Sequence, residues 1–185
     1  MVLITSLFAF TFDKWESGDS FKKVLYSAQD NNIPLAKDGI VHSEKHFRWH
    51  LLKDKEKYRT FYYYDVIFGE RAKVFLSFTD KSNELYKVKI QWNFSGKDSS
   101  EFKETLFGIL DQKYTKGKIA YETNLAKNLF YNYKIWNYNE KTIIESKISS
   151  HIIEITYIDK IIKQEDLQTK KKKKLNIIMS DAEKF

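Results

Sequence analysis

The chain has 185 residues, 42% hydrophobic and 16% aromatic, with 6 Gly, 1 Pro and no Cys. That is enough for one packed core in one domain and too few breakers for long disordered linkers, and the missing thiols exclude disulfides, thiolate zinc sites, a cysteine nucleophile and a lipid anchor on an N-terminal cysteine. The net charge of +7 raises a nucleic-acid partner, but Lys170 to Lys174 carry five of it and the rest holds 27 Lys+Arg against 25 Asp+Glu, or +2.

Residues 1–12 form an apolar run with the length of an export signal's hydrophobic region, and Ala9 fits the position before a cleavage site. No Lys or Arg precedes the run, which an internal Met1 of a longer reading frame would explain. The alternative is an ordinary buried first strand. Beyond residue 12 no apolar stretch approaches the ~20 residues that span a bilayer.

The first helix is expected from about Asp19 to Asn31. Phe21, Val24, Leu25 and Ala28 recur at i, i+3, i+4 and i+7, Ser17 or Asp19 can cap the start, and Pro34 forbids continuation. The segment from Gly39 to Leu52 alternates less cleanly and reads as a strand or an irregular edge. It carries His42, His46 and His50, spaced by four. On a helix these imidazoles would stack on one face and could hold zinc or copper, whereas on a strand each pair spreads over ~13 Å, so exposed or internally satisfied histidines are the expectation and no metal or other cofactor is assigned.

From Tyr58 the period changes to two. Tyr58, Thr60, Tyr62 and Tyr64 share one face and Arg59, Phe61, Tyr63 and Asp65 the other. Gly69-Glu70 offers a turn, Ala72, Val74, Leu76 and Phe78 alternate with Lys73, Phe75, Ser77 and Thr79, Asp80 to Asn83 turns again, and Tyr86, Val88, Ile90 and Trp92 follow. This predicts a three-stranded antiparallel meander. A second helix should start at Ser99 or Ser100, carry Phe102, Leu106, Ile109 and Leu110 as its apolar stripe with Tyr114 continuing it, and end by Gly117. Three more alternating runs, Leu129 to Trp136, Lys141 to Ile148 and His151 to Ile158, predict another meander.

The expected fold is α+β: a two-layer sandwich whose antiparallel sheet is built from two α-β-β-β units, with both helices on one face. The single domain spans 13–162, and 163–185 form a basic C-terminal tail. Five adjacent lysines repel one another and belong in a solvated segment or the exposed end of a helix, where they can attract nucleic-acid phosphates or an anionic membrane.

Phe10-Thr11-Phe12-Asp13-Lys14-Trp15, with Gly18-Asp19-Ser20 opening the helix, and the later Leu110-Asp111-Gln112-Lys113-Tyr114-Thr115-Lys116-Gly117 resemble small exported bacterial proteins with paired α-β modules, similar to outer-membrane assembly lipoproteins and secreted β-lactamase-inhibitor proteins. The resemblance implies a non-enzymatic protein working outside the cytoplasm, and it transfers no functional residue.

Catalytic patterns are not found. No serine stands in a Gly-x-Ser-x-Gly context, no glycine-rich phosphate loop occurs, and pairs such as Glu101 with Glu104 or Asp65 with Glu70 are expected as solvated surface in a chain with 25 acidic residues. The expectation is therefore a binding or adaptor protein, periplasmic or secreted, that meets a protein or envelope partner through an open sheet face. The alternative is a cytoplasmic nucleic-acid-binding module. Candidate binding residues are Arg59, Tyr62, Tyr64 and Lys170, Lys171, Lys172, Lys173 and Lys174, since Tyr and Arg anchor interfaces and aromatic strands can stack bases.

Overall fold

Period-two alternation turns one side of every long strand into an apolar stripe, and antiparallel register lines those stripes up across the sheet. A computed structural model describes residues 10–37, 40–41, 60–114, 118–124, 129–137, 139–149 and 151–182. In chain order the elements are β1 (Thr11–Phe12), β2 (Trp15–Glu16), α1 (Phe21–Asp30), β3 (Ala36–Lys37), β4 (Ile40–Val41), β5 (Thr60–Ile67), β6 (Glu70–Phe78), β7 (Leu85–Asn93), α2 (Ser100–Tyr114), β8 (Lys118–Asn124), β9 (Leu129–Asn137), β10 (Thr142–Ile148), β11 (Ile152–Asp159) and α3 (Lys160–Ala182).

Among the described residues β1 and β2 form a small hairpin, and the other nine strands form one antiparallel sheet ordered β4-β3-β5-β6-β7-β11-β10-β9-β8. Each half of the chain builds a meander, and the last strands of the two, β7 and β11, pair at the centre. Their register sets Ile90 opposite Ile155, Trp92 opposite Ile153 and Val88 opposite Tyr157. The apolar row continues through Leu76, Val74, Phe61 and Tyr63 on one side and Ile144 and Trp136 on the other.

Both α1 and α2 cover that face. Phe21, Val24, Leu25 and Ala28 of α1 and Leu106, Leu110 and Tyr114 of α2 belong to the same buried cluster as the strand residues. Phe21 meets Phe61 and Phe78 at 5.3 and 5.2 Å between ring centres, while Phe102 meets Trp92 at 5.2 Å and Phe107 meets Trp136 at 5.6 Å. Burying each such side chain is worth about 1.5–3 kcal/mol, so the two helices and the sheet stabilise one another through a shared core. The α+β architecture is observed, with α1 and α2 packed on the same face of the sheet.

Three details differ from expectation. Ser20, not Ser17 or Asp19, caps α1, its hydroxyl accepting from the Lys23 N–H at 3.2 Å. Ser17 and Asp19 are buried and tie down the β1–β2 hairpin, accepting from the Phe10 and Glu16 N–H groups. The β5–β6 turn is centred on Phe68-Gly69 rather than Gly69-Glu70, with Glu70 already paired to Ile67. The second unit holds four strands, because Lys118–Asn124 forms β8 along β9. β3 and β4 likewise extend the first unit beyond three strands.

The basic segment 163–185 lies mostly on a helix, one of the two arrangements expected for its lysines. Residues 160–182 form α3, whose first turns dock on β7 and β11. Asp159 accepts from the N–H groups of Ile161 and Ile162 and so caps the helix at its start. Asp166 accepts from the Asp80 N–H at 2.8 Å, and Lys170 bridges Asp80 and Asp166, each at 2.8 Å. Past Lys170 the lysines and then Leu175, Ile177, Ile178 and Met179 are exposed. No helix among the described residues is long and apolar enough to cross a membrane.

Phe10 to Phe12 belong to the folded body. Phe10 is buried against Tyr157, and its carbonyl accepts from the Ser17 N–H at 3.0 Å. The rest of the apolar leader, Arg59, His42, His46, His50 and Gly117 lie outside the described residues.

Candidate functional site: the sheet face opposite the first two helices

With α1 and α2 on one side, the alternate side chains of β5, β6, β7, β11 and β10 line the other. Two cross-strand rows define its centre: Tyr62, Phe75, Lys89, Thr156 and Glu145, and beside it Tyr64, Lys73, Gln91, Glu154 and Lys147. None of these side chains is fully buried, and Tyr64 is 51% exposed.

The β5–β6–β7 end of this face pairs cations with rings. Tyr62 and Tyr64 meet edge to face at 6.0 Å, and Tyr62 lies 6.0 Å from Phe75. The Lys73 ammonium stands 3.7 Å over the centre of the Tyr62 ring and 5.0 Å from that of Phe75. Lys89 lies 4.4 Å from Phe75, and the Arg71 guanidinium 4.5 Å from Tyr64. Each contact is worth about 0.5–1 kcal/mol at an exposed site and fixes an otherwise mobile cation. Gln91, Asn93 and Ser95 add uncharged polar groups beside Tyr64, Arg71 and Lys73, lining an open groove of about 500 Å³.

Toward β11 the charge is balanced. Lys89 pairs with Glu154 at 3.0 Å. At the end of the face nearest α3, burial pushes the Lys87 ammonium below the usual lysine range, with Lys89 and Lys163 adding repulsion. Excess positive charge therefore concentrates on Arg71 and Lys73, the two cations of this corner with no carboxylate partner among the described residues.

Of the candidate residues, Tyr62 and Tyr64 are brought together here. Lys170 is not a free cation: hydrogen bonds from its ammonium to Asp166 and Asp80 raise its pKa and use it as a latch for α3. Lys171 to Lys174 are exposed on α3 and do not belong to the tyrosine row. Arg71, Lys73, Phe75 and Lys89 also belong to this corner and are not among the residues that the sequence pattern singles out. The signal was available in the alternation of β6, where Lys73 and Phe75 fall opposite Val74 and Leu76, and it needed only the β5–β6 register to set them beside the tyrosines.

Among the described residues no group of three or more His, Asp or Glu side chains is arranged to hold a metal ion. Comparison with protein-family models, curated proteins and solved structures returns no match.

Proposed function

We propose that this is an exported binding or adaptor protein, working in the periplasm or outside the cell without a catalytic centre, that holds an acidic segment of a protein or envelope partner on the sheet face opposite α1 and α2. The observation that carries this reading is the set of cations laid over aromatic rings at the β5–β6–β7 corner. Rings that hold Arg71 and Lys73 in place reduce the ordering cost of a carboxylate contact, and tyrosine supplies contact area with few rotatable bonds. The paired modules and the apolar leader of the sequence support the export part.

A second reading is a nucleic-acid-binding module. It is favoured by the exposure of Tyr64 beside Arg71 and by the exposed row Lys171 to Lys174. Titration with a glutamate-rich peptide and with a single-stranded oligonucleotide separates the two. The first reading expects Lys73→Glu to abolish peptide binding while replacement of Lys171 to Lys174 by Gln leaves it intact. Tight oligonucleotide binding that is lost with those four lysines would establish the second. N-terminal sequencing from fractionated cells tests the compartment: a start near Phe10 in the periplasm supports export, and an intact Met1 in the cytosol contradicts it.

A further inference from the structure

A second concavity lies on the helix-covered side, distinct from the open face. It is a cavity of about 250 Å³ between α2, the β1–β2 hairpin and the end of the sheet. Phe12, Ile67, Trp92, Leu106, Leu110 and Ile155 form most of its wall, and Tyr114 and Tyr157, which share a hydrogen bond, add two phenols. Its size falls just below the ~300–1,000 Å³ range of drug-sized sites, which fits a small occupant with an apolar body.

Two features of its rim point to a ligand. Phe68 stands at φ +55° as the first central residue of the β5–β6 turn, a left-handed conformation that costs a bulky residue strain and that Asn or Gly adopts freely. Phe68 is 55% exposed and lines the cavity, so neither turn geometry nor core burial accounts for a phenylalanine here. Strained residues persist where a clamp needs them. Charge is the second feature. Asp13, also on the rim, is paired with Lys14 at 3.3 Å, while Lys113 has no carboxylate partner among the described residues.

We propose that this cavity binds a small carboxylic acid with an apolar chain, the chain entering between α2 and the sheet under Phe68 and the carboxylate meeting Lys113. The apolar wall selects the chain, and the Lys113 ammonium, which lies 5.1 Å from the Tyr114 ring centre and has no carboxylate partner among the described residues, selects an anionic head over a neutral one.

Octanoate and 1-octanol serve as probes, with binding to the full chain followed by calorimetry. Saturable 1:1 binding of octanoate, about tenfold tighter than that of octanol, is expected, and Lys113→Met should erase the difference. Phe68→Asn should move two readouts in opposite directions: the melting temperature rises by about 2–4 °C as turn strain is relieved, while octanoate binding weakens. Absence of saturable octanoate binding, equal binding of the acid and the alcohol, or octanoate binding unchanged by Phe68→Asn overturns the proposal.

Discussion

The indole N–H of Trp15 donates to the phenol oxygen of Tyr63 at 2.8 Å, linking the N-terminal hairpin to the middle of β5 inside the core. Both residues are buried, and their rings meet edge to face at 6.0 Å. Tyr63→Phe keeps the packing but leaves a buried N–H without its acceptor, at a cost of about 1–3 kcal/mol. Urea unfolding should show a lower midpoint at an unchanged slope.

Burial holds the phenols of Tyr63 and Tyr157 above the ordinary tyrosine range, Tyr157 with further support from Tyr114. In the unfolded chain they ionise near pH ~10, whereas the folded chain keeps their protons to higher pH. The native state then binds more protons, so this stability is complete below about pH 10 and falls as the pH climbs beyond it. Lys170, raised by its bonds to Asp166 and Asp80, acts in the same direction, and Lys87, lowered by burial, opposes it. Unfolding free energies measured from pH 8 to 11 should decline at the alkaline end, and less steeply in Tyr157→Phe.

Asp111 joins α2 to β9 with both oxygens, one accepting from the Trp136 indole at 2.7 Å and the other paired with Lys134 at 2.6 Å. Asp111→Ala strands a buried indole N–H and a half-buried ammonium together. A loss of roughly 2–3 kcal/mol is expected, read by thermal or denaturant unfolding.

Gly108 sits in the interior of α2 on its exposed side, with open space where a Cβ would go. Gly108→Ala should stabilise the protein by about 0.5–1 kcal/mol, because it lowers the entropy of the unfolded chain and removes a weak helix position. A raised unfolding midpoint checks it.

How far the fold could be read from the sequence depended on how local its signals were. The stripe Phe21, Val24, Leu25 and Ala28 and the alternation from Thr60 to Trp92 reflect contacts with one dominant buried side, so period alone found α1 and the first meander. β8 was missed because Lys118–Asn124 alternates weakly and is specified by its pairing with β9. The start of α3 was masked by Lys170 to Lys174, which drew attention to charge, while the docking of the helix depends on Asp80, 86 residues away from its partner Asp166. At the candidate site, Tyr62 and Tyr64 were visible as a cluster along one strand. Their cations came from β6 and β7, and only cross-strand register puts Lys73 over Tyr62.

The most direct test of the account is an NMR titration of the full chain with a short poly-glutamate peptide. Amide shifts should concentrate on Tyr62, Tyr64, Arg71, Lys73 and Gln91, saturate, and vanish in Lys73→Glu. Shifts confined to Lys171 to Lys174, or a response equally strong in Lys73→Glu, would contradict it.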